Sequence, residues 1–227
     1  MKVQDYLQVV PGTTPVVGSG GKTSLIALLA SELPGTSVLC TTTRIFPFDG
    51  VRCLEDAAPN EAARALRSQR TVCVGLPAES GKLAEPSCGV KAFESVADHV
   101  LVEADGSKRL PLKAHCPWEP VIPDGARPAI LVVGASGFGL PVASAVHRPN
   151  AFCALVGGCP LDIAAPERVA RAVAAENLAA TVFVNQVDPD DSDALQAARR
   201  FATALREQGY TGRIGAGSVR KNWALEL

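Results

Sequence analysis

The residues best suited to chemistry lie in a glycine-rich loop between a short strand and an apolar helix. The stretch from Pro15 to Ala30 is PVVGSGGKTSLIALLA. Glycines let a backbone wrap closely around a phosphate, and a helix N-terminus adds partial positive charge. At this spacing Lys22 would reach the β- and γ-phosphates of a nucleotide, and the Thr23 hydroxyl would bind Mg²⁺. The predicted phosphate site comprises Gly18, Ser19, Gly20, Gly21, Lys22, Thr23 and Ser24.

This loop departs from the full phosphate-loop pattern at one position. Val16 stands where G-x-x-x-x-G-K-[ST] has its first glycine, which leaves the shorter G-x-x-G-K-T. An ordinary glycine turn before a core helix is the alternative explanation.

Two carboxylates follow a second apolar strand. His99–Glu103 has strand character, Glu103 closes it, and Asp105 lies two residues further on. An acidic residue here would hold Mg²⁺ opposite Thr23 or orient the attacking group, so Glu103 and Asp105 join Lys22 as candidate catalytic residues. The alternative is a strand that ends in a solvated acidic turn.

Basic side chains come next, on a Gly-Ser turn with prolines. Lys108, Arg109 and Lys113 would clamp an anionic substrate or a phosphoryl group in transfer. They are therefore predicted to bind substrate.

Thr42 belongs to a hydroxyl run, Thr41 to Thr43, at the end of another predicted strand. A hydroxyl in this position could contact Mg²⁺ or the γ-phosphate, which makes Thr42 a candidate metal ligand with Thr23 and Glu103. Threonines are also common in strands because they are β-branched, and the sequence leaves both explanations open.

A base-recognition site is predicted at Asn185 and Asp188. The strand Thr181–Asn185 runs into Asn185-Gln186-Val187-Asp188, which is similar to the N-K-x-D of GTPases with Gln186 in place of lysine. A carboxylate at 188 would accept hydrogen bonds that guanine donates and adenine does not. A plain turn and helix cap explains the same residues equally well.

The three histidines, at positions 99, 115 and 147, form no metal motif. His99 lies in a strand and is predicted to be a core residue, whereas His115 and His147 lie in loops and are better functional candidates. Neither G-x-S-x-G nor H-E-x-x-H occurs, so serine hydrolase and zincin activities lack support.

The elements that must position these residues alternate between strands and helices. The predicted strands are mostly continuous apolar runs, which is typical of parallel strands covered on both faces. Together they predict an α/β fold resembling phosphate-loop nucleoside triphosphatases, with a mostly parallel sheet and helices on both faces. The predicted strands are Pro15–Val17, Ser37–Thr42, Thr71–Gly75, His99–Glu103, Ala129–Gly134, Thr181–Asn185 and Arg213–Ala216, and the predicted helices are Lys22–Leu33, Asn60–Ser68, Val90–Ala97, Glu167–Glu176 and Ser192–Gln208.

Length and composition fit one domain over residues 1–227, with a loop or hairpin insertion near 76–90. The net charge of −1 lacks the basic excess of nucleic-acid-binding proteins. No apolar run approaches the ~18 residues of a membrane span. Seven cysteines without a C-x-x-C pair argue against a zinc or thioredoxin site and favour a reducing cytoplasm.

Several segments resemble the YqeC-like family, and the resemblance covers the chain from about Val16 to Asp188. The most specific is EADGSK-x-x-P-L-K-A-H, and the others, in order, are VVGSGGKTSLIALLA, TTTRIF, EPVIP, GASGFGLP, VHRP and VNQVD. The resemblance implies a phosphate-loop nucleotide-binding fold and an accessory role in maturing a selenium-dependent molybdenum hydroxylase. It also adds His147 and Arg148, which match a His-Arg pair of the family, to the predicted substrate site. Gln186 and Ala135 depart from the lysine and aspartate common in relatives.

The expected function is Mg²⁺-dependent binding of ATP or GTP, with hydrolysis or transfer coupled to maturation of a molybdenum hydroxylase or its cofactor. Two alternatives stay open. One is a kinase or ligase acting on a small anion held by Lys108, Arg109 and Lys113. The other is a nucleotide-sensing binding or delivery module with little turnover.

Overall fold

A ten-stranded sheet forms the centre of the protein in the computed structural model, which describes residues 1–227. Its strands are β1 (Gly12–Gly18), β2 (Ser37–Thr41), β3 (Arg52–Glu55), β4 (Thr71–Ala78), β5 (Lys82–Ala84), β6 (His99–Glu103), β8 (Ile130–Gly134), β10 (Thr181–Asn185), β11 (Arg213–Ser218) and β12 (Trp223–Glu226). The order is β12-β11-β10-β8-β1-β6-β2-β4-β3, with β5 paired to β4. Only β11–β12 and β4–β5 are antiparallel. A separate parallel pair joins β7 (Leu112–Lys113) to β9 (Val146–His147).

Helices cover both faces of this sheet. They are α1 (Val3–Leu7), α2 (Lys22–Glu32), α3 (Pro59–Leu66), α4 (Val142–Ala145), α5 (Pro149–Val156), α6 (Pro166–Glu176) and α7 (Ser192–Glu207). Successive residues of the central strands alternate between two hydrophobic clusters. One contains Leu101 with residues of α1 and α2, and the other contains Val100 and Val102 with residues of α3, α6 and α7. Parallel strands buried on both faces explain the continuous apolar runs. The predicted α/β fold with a mostly parallel sheet is confirmed.

One predicted helix is wrong in type. Val90–Ser95 is a 3₁₀ helix and not an α-helix over Val90–Ala97. Val90 and Phe93 are both buried. A spacing of three residues places two side chains on one side of a 3₁₀ turn, so this short segment buries both before the chain enters β6.

The segment near 76–90 contains the end of β4, a short 3₁₀ turn over Glu79–Gly81, and β5, which folds back on β4. The edge strands β3 and β12 and the five-residue α1 were not predicted, because short peripheral elements carry little hydrophobic pattern. No helix combines the length and the apolar character needed to cross a membrane.

The strand order places the glycine loop at the centre of one sheet edge. From β1 the chain continues to β2, two positions away, and β6 later fills the gap between them. On the other side of β1 lie β8, β10 and β11. The carboxyl ends of these parallel strands share one edge, and ligands of open α/β sheets bind at such a reversal of strand order.

Candidate functional site

The glycine loop leaves β1 in a conformation that only glycine adopts freely. Gly18, Gly20 and Gly21 have φ values of +91°, +86° and +124°. A Cβ on Gly20 would overlap the Gly134 backbone, and one on Gly18 would overlap the Val132 carbonyl oxygen. The glycines therefore satisfy both the left-handed backbone and the close approach to β8.

Lys22 begins α2 and turns its ammonium group back into the loop. Its Nζ donates to the Gly18 carbonyl oxygen at 2.7 Å. The same nitrogen lies 3.1 Å from Asp105 Oδ1 and 3.6 Å from Glu103 Oε1. The Lys22 side chain is 2% exposed, so the cation sits inside the site and is balanced by two carboxylates.

Thr23 and Glu103, which were expected to lie opposite each other at a Mg²⁺ site, are in direct contact. Thr23 Oγ1 donates to Glu103 Oε2 at 2.7 Å. Strand pairing places Glu103 beside Val16 of β1 on one side and Thr41 of β2 on the other. Burial raises the pKa of Glu103, although the Lys22 charge and the Thr23 hydroxyl oppose that shift.

Thr42 lies next to this carboxylate residue through the backbone. Its N–H donates to the Glu103 carbonyl oxygen at 3.3 Å, while its Oγ1 donates to the Val121 carbonyl at 2.7 Å. The buried hydroxyl of Thr41 also donates to the Glu103 carbonyl, at 2.8 Å. The threonine run therefore holds the end of β6 in place.

Asp105 is fully buried below the glycine loop and is surrounded by donors. Its Oδ2 accepts from the Gly18 N–H at 2.8 Å and lies 3.3 Å from Lys113 Nζ. The same oxygen lies 2.7 Å from His115 Nε2. Burial alone would raise the pKa of Asp105, but the His115 hydrogen bond and the charges of Lys22 and Lys113 lower it to about 2. A carboxylate held in this way stays ionised and fixed in position.

His115 and Glu176 complete this cluster. His115 Nδ1 lies 2.8 Å from Glu176 Oε2, and the His115 backbone N–H donates to Glu176 Oε1 at 2.6 Å. His115 was predicted only as a loop candidate. Glu176 ends α6, 61 residues away, and carries no sequence signal for this contact.

The predicted substrate-binding cations divide into buried and exposed groups. Lys113 is buried and donates to the Gly106 carbonyl at 2.6 Å, and it lies 3.4 Å from Glu119 Oε1. Lys108 and Arg109 are exposed on a turn with φ values of +49° and +63°.

His147 and Arg148 approach this group through the β7–β9 pair. Lys113 is opposite His147 in the register, and Arg148 Nε donates to Glu119 Oε2 at 2.8 Å. Burial lowers the pKa of His147, and the charges of Lys113, Arg148 and Lys108 lower it further. The fold thus brings Lys113, His147 and Arg148 together near Asp105 and Glu119.

A cleft of about 710 Å³ borders the glycine loop at Gly20 and Gly21. It lies between the start of α2 and the ends of β10 and β11. Its walls include Gly20, Gly21, Ser24, Leu28, Asn185, Gln186, Asp188, Ser218, Val219 and Arg220. The end of β11 and the loop after it, Ser218 to Arg220, were not predicted to contribute.

The Asn185 side chain links the glycine loop to the loop after β11. Its Nδ2 donates to the Gly20 carbonyl at 2.8 Å, and its Oδ1 accepts from the Val219 N–H at 2.9 Å. Asp188 Oδ2 lies 2.6 Å from Arg220 Nη2 at the cleft wall. Asp191, and not Asp188, caps α7 through a bond from the Ala194 N–H. Asp188 does lie in a turn before α7, since its carbonyl oxygen accepts from the Asp191 N–H at 3.0 Å, but its side chain does not cap the helix.

Thr23 Oγ1 and the Glu103 carboxylate are the predicted ligands whose oxygens lie together and could hold a cation. No group of three or more His, Cys, Asp or Glu side chains is arranged to hold a metal ion. A cation here would need further oxygens from water or from a ligand.

Comparison with known proteins places this site within a described family. The model of the family described as YqeC protein matches residues 14–150, which include the glycine loop, Glu103, Asp105, His115 and Arg148. The uncharacterized protein YqeC of Escherichia coli (strain K12) is 33% identical over 162 residues, 66% of this chain and 62% of that relative. The match thus spans less than two thirds of the relative's length. The chain belongs to the YqeC family, as the resemblance of its motifs predicted.

Proposed function

We propose that this protein binds a nucleoside triphosphate with Mg²⁺ and hydrolyses it or transfers its terminal phosphoryl group. The main observation behind this proposal is the hydrogen bond from Thr23 Oγ1 to Glu103 Oε2 beside the glycine loop. It joins a hydroxyl from the start of α2 to a carboxylate from the end of β6, directly beside the Lys22 ammonium. Glycine backbone, lysine, hydroxyl and carboxylate are the groups that phosphoryl transfer requires.

The oxygen donors of Thr23 and Glu103 fit Mg²⁺. They are too few to hold a metal ion that takes all its ligands from the protein. Mg²⁺ is usually bound by one or two carboxylates together with phosphate oxygens and water. Thr23 and Glu103 would hold it, with Thr42 as an additional predicted ligand. When bound, the cation would neutralise charge that develops on the phosphates.

Lys22 has a distinct task in this arrangement. In the structure, the positive charge of Lys22 is balanced by Asp105 and Glu103. A triphosphate in the loop offers stronger acceptors, and the lysine side chain reaches them by rotating within the site. The backbone N–H groups of the loop and the N-terminus of α2 supply the remaining attraction.

The 710 Å³ cleft is the proposed base site. It borders Gly20, Gly21 and Ser24, so a nucleotide with its phosphates in the loop places its base there. Asn185 fixes the cleft floor. Asp188 presents the carboxylate that would accept from guanine. Gln186 Oε1 accepts from Ser136 Oγ at 2.7 Å, so this side chain is turned toward β8 and leaves the base without a covering stem. We expect modest affinity with a slight preference for GTP.

A second candidate function is transfer of the phosphoryl group to a small anion. The observation that favours it is the register Lys113↔His147, which places His147 opposite Lys113, whose Nζ lies 3.3 Å from Asp105 Oδ2. Lys108 and Arg109 are exposed and engaged in no ion pair. Stimulation of nucleotide turnover by small carboxylates or oxyanions, lost in Lys108→Ala, would support it. Turnover indifferent to every anion would argue for hydrolysis alone.

Membership of the YqeC family supports an accessory role in maturing a selenium-dependent molybdenum hydroxylase in the cytoplasm. Nucleotide turnover should then respond to that enzyme. The assay compares phosphate release with and without the molybdenum hydroxylase. A protein that binds nucleotide but never turns it over, with or without the partner, would instead be a sensing or delivery module.

The decisive experiment is calorimetry of ATP, GTP and their diphosphates with Mg²⁺, on the wild-type chain and on Lys22→Ala. Wild type should bind a triphosphate, and Lys22→Ala should weaken this binding at least tenfold, since a hydrogen bond to a charged group is worth ~1.5–3 kcal/mol. Lys91→Ala, an exposed lysine outside the site, is the matched control. Unchanged affinity in a folded Lys22→Ala protein would refute the phosphate-loop function.

A further inference from the structure

The His115 imidazole lies between two carboxylates inside the protein. Its Nε2 is 2.7 Å from Asp105 Oδ2 and its Nδ1 is 2.8 Å from Glu176 Oε2. The three side chains are 4%, 0% and 9% exposed. Asp105 follows β6, His115 follows β7 and Glu176 ends α6, so the contact joins three separate parts of the chain.

The geometry around His115 favours the protonated ring. A neutral imidazole donates from one nitrogen and carries a lone pair on the other. With an acceptor oxygen at hydrogen-bond distance from each nitrogen, the neutral ring would face one carboxylate with its lone pair. The imidazolium donates to both, and a buried cation between two anions is well compensated.

The same Asp105 oxygen that faces His115 also accepts the Gly18 N–H, at 2.8 Å. Gly18 is the first residue of the glycine loop and has a left-handed backbone. We propose that His115 is a positioning residue: its imidazolium, held by Glu176, fixes the Asp105 carboxylate against the Gly18 N–H and keeps the glycine loop in its phosphate-binding shape without ligand. The link to phosphate binding rests on the function proposed above.

This arrangement also explains how Asp105 keeps its place when Lys22 turns to a phosphate. Lys22 would then leave Asp105 Oδ1, from which it is 3.1 Å distant. His115 and Lys113 remain on Oδ2, so the buried carboxylate still has two cationic partners. Without His115, departure of Lys22 would leave Asp105 with Lys113 alone, which raises the cost of binding.

The sign of the pH dependence follows from the groups around the ring. Asp105 faces His115 from the segment after β6 and Glu176 faces it from α6, and Lys22 of α2 and Lys113 of β7 lie beyond Asp105. Burial alone would lower the pKa of His115, but the hydrogen bonds and charges of Asp105 and Glu176 raise it above its usual value. The protonated form is the one that positions the loop. Loop order should therefore be present below the raised pKa and be lost as pH rises through it.

NMR titration of the histidine ring signals measures this directly. Only three histidines are present, and the signal that disappears in His115→Gln identifies His115. We expect a His115 midpoint above the ordinary value of about 6.5. Glu176→Gln should lower that midpoint, and it should speed hydrogen exchange at the Gly18 N–H. Glu167→Gln is the control, because Glu167 lies on the same helix but pairs with Arg200 at the surface.

The second readout is the affinity for Mg²⁺-triphosphate as a function of pH. We expect Glu176→Gln to move the loss of affinity to lower pH, and His115→Gln to weaken binding about tenfold at a pH below the His115 midpoint, because a hydrogen bond to a charged group is lost. Thermal melting of each variant shows that it is folded at the assay temperature.

The outcomes separate this inference from the proposed function. A wild-type chain that binds no triphosphate refutes the function, while the His115 midpoint and Gly18 exchange still test the positioning role. A His115 midpoint at or below the ordinary value overturns the inference, and so does a Gly18 N–H whose exchange is unaffected by Glu176→Gln. Triphosphate binding with the same pH profile in wild type and Glu176→Gln overturns it as well.

Discussion

Replacing Glu103 by glutamine tests the centre of the proposed site with little change of shape. Glu103 Oε2 accepts from Thr23 Oγ1 at 2.7 Å, and Oε1 lies 3.6 Å from Lys22 Nζ. Glutamine keeps an acceptor for Thr23 but removes the negative charge. Lys22 retains Asp105 and the Gly18 carbonyl as partners.

The expected cost to stability is small. Because burial raises the pKa of Glu103, the interior stabilises its charged form poorly, and a neutral amide relieves that penalty. The charge-assisted bond to Thr23 becomes a neutral one, worth ~1 kcal/mol less. A shift of the melting temperature within about 4 °C follows for a chain of this size.

The expected cost to function is much larger. Loss of one positioned electrostatic group typically lowers turnover by ~10², equivalent to about 2.7 kcal/mol. Without Mg²⁺, Glu103→Gln should bind triphosphate at least as well as wild type, since one negative charge near the phosphates is gone. With Mg²⁺, the gain in affinity that the cation provides should shrink.

The assay combines phosphate release at saturating nucleotide with calorimetry at several Mg²⁺ concentrations. Glu55→Gln, an exposed carboxylate on the edge strand β3, should behave as wild type. If Glu103→Gln hydrolyses nucleotide at the wild-type rate with the same Mg²⁺ dependence, Glu103 merely ends a strand. If wild type shows no turnover, an unchanged Mg²⁺ dependence of binding refutes the reasoning equally.

Two further predictions concern the base cleft and the loop backbone. Competition of ATP and GTP for one labelled nucleotide should show a GTP preference below about tenfold, or 1.4 kcal/mol. Asp188→Asn should abolish it and Asp190→Asn should not, whereas equal displacement in all three proteins would leave Asp188 a structural role. Gly20→Ala adds a Cβ that overlaps the Gly134 backbone, while Gly81→Ala, also at positive φ, meets nothing within 4 Å. Overpacking costs ~1–3 kcal/mol, so Gly20→Ala should lower the melting temperature several degrees more than Gly81→Ala, and equal shifts would contradict the close approach to β8.

The sequence by itself determined the fold class and the nucleus of the site. Continuous apolar runs alternating with helical patterns predict parallel strands covered on both faces, and this is what the sheet shows. Glu103 was expected opposite Thr23 as well, because a phosphate-loop enzyme needs an acidic residue at that place, and the two side chains are in contact. These features are readable because periodicity and motif spacing are local properties of the chain.

The tertiary structure alone decided which distant groups complete that site. Placement of β6 beside β1 brings Asp105 under the Gly18 N–H, and packing of α6 brings Glu176 to His115. The loop after β11 closes the cleft beside Asn185. No sequence pattern predicts such contacts, because they depend on strand order and helix packing between segments far apart in sequence. Burial opposes the charged forms of Asp105 and His115, but the hydrogen bonds and charges that folding brings around them outweigh it, so the pKa of Asp105 is lowered and the pKa of His115 is raised.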